Sequence, residues 1–197
     1  MTIRSMLAAA ALMLIAASAP AGAHEDAAAS LPGTSLYNLD SQWVTQDGAR
    51  IALVSLMGNL VVAAMGYAEC KDICPAVVAD MMWIDKHLPP GAAGRVEFVF
   101  VTFDSVADTP ERLRLYADGH GLDLKHWLLL GADDDAVREL AAALGVGYRP
   151  DGQGGFNHTA VISLLDAKGN IVFQQRGAEA RSDELLAEVN ALLGAQD

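Results

Sequence analysis

The sequence predicts an α/β domain in which a central mixed sheet is flanked by helices and preceded by an N-terminal hairpin. Three observations carry this prediction. Strand-like and helix-like apolar patterns alternate from about residue 36 onward. The early strand patterns are separated by helix patterns, as parallel pairing requires, whereas the last two flank a short Gly/Asn turn and must pair antiparallel. The first continuous apolar strand also runs directly into Cys70 and Cys74, the two cysteines of the chain.

Residues 1–23 read as a secretory signal, with Arg4 as the positive start, an apolar run from Leu7 to Ala17, and Ala21-Gly22-Ala23 as the small-residue cleavage site. The run is Ala-rich and shorter than the roughly 20 residues that a spanning helix needs. Cleavage before His24 is therefore expected, an uncleaved membrane anchor being the alternative. The mature chain is expected to be exported, to the periplasm if bacterial, with no membrane span. Residues 24–35, rich in Ala, Pro, Gly and Ser, read as a flexible leader, and residues 36–197 as one domain. A 52% hydrophobic, 19% charged composition fits one folded core and excludes a disordered chain. A net charge of −12 without any Lys/Arg cluster argues against a nucleic-acid partner.

The elements follow in order. Leu36 to Ile51 holds short strand pieces around the turn Gln46-Asp47-Gly48. Asn59 to Met65 is a continuous apolar run, as in a strand buried on both faces. Pro75 suits the first helical position, and Val77, Met81, Ile84 and Leu88 form one stripe that Pro89-Pro90-Gly91 ends. Arg95 to Phe103 predicts a second central strand, and Asp108-Thr109-Pro110-Glu111 caps a helix to about Gly119. A strand at Trp127–Leu130 and a helix at Asp133–Leu144 follow. Gly147 to Gly155 reads as a mobile loop. The strands His158–Leu165 and Ile171–Arg176 then flank Asp166–Asn170, and a helix from Ser182 to Leu193 closes the chain. This is the order of a thioredoxin-like domain.

In an exported protein two cysteines usually form a disulfide, but one spanning three residues closes too short a loop to stabilise the fold by much. Chemistry is the better reason for the pair. Cys74 precedes Pro75 at a helix start, where free N–H groups and the helix dipole favour thiolate. Two such thiols suit a soft cation, above all Cu(I), and they suit thiol-disulfide exchange equally. Among the histidines, His24 falls in the leader, and His87, His120 and His126 read as surface or helix-end residues. His158 stands between a glycine-rich loop and a buried strand. In thioredoxin-like domains that place faces the cysteine loop and usually holds a cis-proline.

Three separated segments carry a family resemblance: Gly66-Tyr-Ala-Glu-Cys-Lys-Asp-Ile-Cys-Pro75, Val101-Thr-Phe-Asp104 with Asp108-Thr-Pro-Glu111, and His158-Thr-Ala-Val-Ile before Asp166–Asn170. From about Leu36 to Leu193 the chain resembles the Sco (SenC) proteins, thioredoxin-fold copper chaperones that serve the dinuclear copper site of cytochrome c oxidase. The resemblance implies one copper ion per chain, Cu(I) or Cu(II), held by Cys70, Cys74 and His158. It implies that Asp72 and Asp104 steady the site from outside the ligand set. It further implies a copper-receiving partner such as cytochrome c oxidase subunit II, and exchange with other copper chaperones. Glu69, Lys71 and Asn157 depart from the family pattern, which often has His and Pro around the first cysteine and an acid before the histidine. A thiol-disulfide oxidoreductase acting on a partner's cysteines without carrying copper is the alternative function.

Overall fold

The computed structural model describes residues 31–92, 94–178 and 182–195. The expected signal segment and residues 24–30 of the expected leader lie outside the described residues. A seven-stranded mixed sheet forms the centre, built from β1 (Gln42–Thr45), β2 (Arg50–Ala52), β3 (Leu60–Gly66), β4 (Val96–Thr102), β5 (Trp127–Gly131), β8 (Val161–Leu165) and β9 (Ile171–Arg176). Its strand order is β2-β1-β5-β4-β3-β8-β9. The trio β3, β4 and β5 is parallel, and β1–β2 and β8–β9 are antiparallel hairpins at either side.

The helices are α1 (Cys74–His87), α2 (Pro110–His120), α3 (Asp134–Leu144) and α4 (Asp183–Ala195). The path from β3 to β4 to β5 crosses the sheet in one direction. A fixed right-handed crossover then places α1 and α2 on the same face. After β5 the chain turns back to reach the far side of β3, so α3 covers the opposite face. Alternating side chains follow suit. Leu60, Val62 and Ala64 of β3 pack with Val77, Met81, Leu113 and Leu185 from α1, α2 and α4, whereas Val61, Ala63 and Met65 pack with Val137, Leu140 and Leu144 of α3. Both faces of β3 are therefore covered, which is why its pattern is continuous rather than alternating.

The sequence expectations for α1 to α4 and the seven sheet strands are met to within a few residues, with three informative differences. Val78 and Asp80 of α1 are buried beyond the predicted stripe: α4 packs against this helix as well, and the Asp80 carboxylate accepts the Gln175 side-chain amide of β9 at 3.2 Å. Residues 32–35, expected as the end of the leader, are tied to the domain: Ser35 is buried and its hydroxyl donates to the Lys168 carbonyl at 2.5 Å. The glycine-rich stretch expected as a mobile loop is a small hairpin of β6 (Tyr148–Pro150) and β7 (Phe156–His158). Asp151 ties its turn by accepting the N–H groups of Gln153 and Gly155 at 2.7 and 2.9 Å. His158 thus ends β7, and the buried strand expected to begin there starts at Val161.

Candidate metal centre

Open parallel sheets present their sites at the C-terminal ends of the strands, where loops diverge to the helices. Here β3 delivers residues 67–73 to that edge, and the loop turns back at once, the Cys70 N–H bonding the Tyr67 carbonyl at 3.2 Å. Cys74 opens α1, with Pro75 in the first turn where its missing N–H costs nothing. Because β8 runs antiparallel to β3 in the register Val61↔Leu165 to Ala64↔Ile162, the residues preceding β8 arrive beyond the end of β3, over the cysteine loop. That register is what carries His158 to residues more than eighty positions earlier in the chain.

The Nε2 of His158 lies 3.2 Å from Cys74 Sγ and 3.8 Å from Cys70 Sγ, and the Cys74 N–H points at Cys70 Sγ at 3.4 Å. Both thiols are free and buried, and His158 is partly exposed. The Nδ1 of His158 lies 3.2 Å from the Thr159 carbonyl, an acceptor only. The ring proton therefore sits on Nδ1 and the Nε2 lone pair faces the sulfurs. Burial depresses the His158 pKa below its ordinary value, opposed by the Thr159 carbonyl and the negative charge of Asp72, so the ring is neutral near pH 7.

One expectation about the thiols is corrected. The helix start was expected to favour the Cys74 thiolate, yet burial pushes this thiol far above its ordinary range, and its hydrogen bond with Cys70 adds to the effect. Backbone groups pull the other way and are outweighed. Desolvation exceeds the dipole here, so a cation must displace the proton as it binds.

The donor set fits a soft metal ion. An ion with bonds of about 2.0–2.3 Å to nitrogen and sulfur spaces three coplanar ligand atoms about 3.5–4 Å apart. The three ligand atoms here all lie within 4.8 Å of one another. Two buried sulfurs and one neutral imidazole suit Cu(I) above harder ions.

Asp72 is exposed, and its carboxylate acts on His158 through charge. Asp104 is used locally: its Oδ1 accepts the Ala107 N–H at 3.0 Å and its own N–H donates to Thr102 Oγ1 at 3.0 Å. The acid that reaches the cysteine loop is Asp108, whose Oδ2 accepts the Ala68 N–H at 2.8 Å and the Thr102 hydroxyl at 2.6 Å. Sequence reasoning placed the helix cap in Asp108-Thr109; Thr109 fills it by accepting the Arg112 N–H, which leaves Asp108 to the cysteine loop.

An aromatic enclosure was also missed. Phe103 lies with its ring centre 5.0 Å from that of His158, stacked on Tyr148 at 4.9 Å, while Tyr67 and Phe156 meet edge-on at 5.3 Å. The Tyr67 hydroxyl accepts the Phe156 N–H at 3.3 Å and so joins the cysteine loop to the histidine hairpin. The available signal was an aromatic residue directly after each of the two central parallel strands, Tyr67 after β3 and Phe103 after β4.

Sheet, thiol pair and opposed imidazole together define the class: a thioredoxin-like protein with a three-donor candidate site for a soft metal. The SCO1/SenC family profile matches residues 32–194, and the chain belongs to that family. It is 25% identical over 152 residues to the SCO1 protein homolog of Bacillus subtilis, covering 74% of this chain and 77% of that protein. The copper-bound structure of ScoI from Bradyrhizobium japonicum superimposes with a TM-score of 0.65 at 23% identity, over 77% of this chain and 96% of that one. BsSco, a member of the Sco family of cytochrome c oxidase assembly proteins with a disulfide switch, superimposes with a TM-score of 0.65 at 24% identity, over 77% and 90% of the two chains.

Proposed function

We propose that this chain is a copper metallochaperone that holds one copper ion through Cys70, Cys74 and His158 and delivers it to an exported cuproprotein, cytochrome c oxidase subunit II being the recipient the family relationship favours. The observation that carries the reading is the His158 Nε2 lone pair facing both sulfurs, at 3.2 and 3.8 Å. Copper is the cargo. The thiols release their protons to solvent as it binds, the imidazole adds a neutral donor, and Phe103 packs beside that imidazole. Residues 1–23 act as a cleaved export signal in this reading, and the domain works outside the cytoplasm, in the periplasm if the source is bacterial.

Titration of reduced protein with Cu(I) and Cu(II), before and after His158→Ala, tests the site. Weaker binding and an altered Cu(II) absorption spectrum are expected. Unchanged affinity and spectrum for both ions would remove His158 from it.

The pairing of the two thiols on one loop also permits a second activity at the same site, reduction of a recipient's cysteines before metal transfer. In that step two electrons and two protons leave the Cys70–Cys74 dithiol for the recipient's disulfide. Rapid exchange with an oxidised copper-site peptide in metal-free protein supports it, and an absence of exchange excludes it.

A further inference from the structure

Cys74 and Cys70 are held in different ways. Cys74 belongs to α1 and packs against β3, whereas Cys70 sits in a loop whose position needs a separate explanation. The two residues immediately before Cys70 are both gripped by the entry to α2. The Ala68 N–H donates to Asp108 Oδ2 at 2.8 Å, fixing the backbone. The Glu69 carboxylate pairs with the Arg112 guanidinium, fixing the next side chain. Arg112 in turn lies with its Nε 3.5 Å from Asp108 Oδ1, so the two grips share one cation. The Asp108 side chain is 1% exposed and is anchored to the sheet by the Thr102 hydroxyl at 2.6 Å, whereas Arg112 and Glu69 are 38% and 60% exposed. The arrangement therefore has a buried, rigid half and an open, weak half.

We propose that Asp108 is the positioning residue for Cys70, and that the Glu69–Arg112 ion pair is the releasable latch that completes its hold. The proposal rests on the copper-site reading for its purpose, though not for its geometry. Holding Ala68 and Glu69 keeps Cys70 Sγ at the approach to Cys74 and His158, which raises the effective concentration of one sulfur for the other and for a metal. A charged partner surface that competes for Glu69 or Arg112 loosens Cys70 alone and leaves Cys74 and His158 in place, which is the order of events a ligand-by-ligand handover requires.

The test uses the full mature chain, reduced and free of metal, alkylated for timed intervals and cleaved after Lys71, which separates the two cysteines for mass spectrometry. Asp108→Ala is expected to speed alkylation of Cys70 about tenfold, the loss of a charge-assisted hydrogen bond. Asp108→Asn, which keeps an acceptor for the Ala68 N–H, is expected to restore most of the protection. Glu69→Gln and Arg112→Met are each expected to speed Cys70 about two- to fivefold, as for a partly exposed ion pair. Cys74 should change much less than Cys70 in all four. The equilibrium with glutathione, in which the dithiol passes two electrons and two protons to glutathione disulfide and yields two glutathiones, should shift about tenfold toward the dithiol in Asp108→Ala, about 30 mV.

Equal acceleration of both cysteines would show general loosening and overturn the proposal, as would no acceleration of Cys70 in a folded Asp108→Ala. If Asp108→Ala does not fold, the Glu69→Gln and Arg112→Met pair decides by the same criterion. Failure of the copper reading is distinguishable, because it would appear as absent copper uptake by the unsubstituted chain with the alkylation pattern intact.

Discussion

Gly66 shows how little room the site leaves at the level of one residue. A Cβ built there would lie 2.8 Å from the Phe100 ring and 2.9 Å from Cys74 Sγ, closer than carbon tolerates either atom. The backbone conformation does not demand glycine at this position; the approach of Cys74 does. Gly66→Ala is expected to destabilise the fold by about 1–3 kcal/mol, the usual cost of overpacking a filled core. It should also weaken Cu(I) retention, because the softest way to relieve the clash moves Cys74 away from His158. Denaturant unfolding and competition with a Cu(I) chelator measure the two effects; full retention of both would mean that the sulfur is not seated where it is described. His158 makes the complementary point, since its donor atom is chosen by the Thr159 carbonyl rather than by anything in the ring itself.

At the scale of an element, the β6–β7 hairpin decides whether the third donor arrives. Its turn depends on the Asp151 carboxylate, and the Gln153 and Gly155 N–H groups that it accepts hold its pKa below the ordinary 3.8. A carboxylate with a lowered folded value contributes its stability above the ordinary value and loses it as pH falls through the lowered one. Protection of the Gln153 and Gly155 amides, taken relative to the free-chain exchange rate at each pH, should therefore fall below about pH 3.8, while strand β3 stays protected. Asp151→Asn keeps an acceptor and is expected to remove most of this pH dependence. Asp151→Ala should loosen the hairpin at every pH and speed copper release without unfolding the domain. Protection factors that are independent of pH in the unsubstituted chain would show that the turn does not rely on the carboxylate.

For the whole molecule, the three donors come from two distant stretches of chain, so metal binding and folding are linked. A ligand that binds the native state at a hundredfold excess over its Kd adds about 2.7 kcal/mol, which for a domain of this size raises Tm by roughly 5–10 °C. Cu(I) is expected to produce such a rise in the reduced protein, most of it lost in Cys70→Ser, Cys74→Ser and His158→Ala. Scanning calorimetry with and without Cu(I) measures it, and an equal rise in the Cys74→Ser variant would place the ion elsewhere.

The same separation explains what could be read from the chain directly. Local patterns determined the alternating elements, the helix start at Cys74–Pro75, the buried strand β3 and the identity of three potential donors, because propensity, capping and apolar periodicity act over a few residues. Three matters were decided only by the tertiary structure. The β3–β8 register brings His158 to the sulfurs, burial overrides the helix dipole at Cys74, and Asp108, next to the helix cap, serves the cysteine loop forty positions away. Each depends on desolvation or on which strands become neighbours. Those quantities exist only once the sheet has closed around its core.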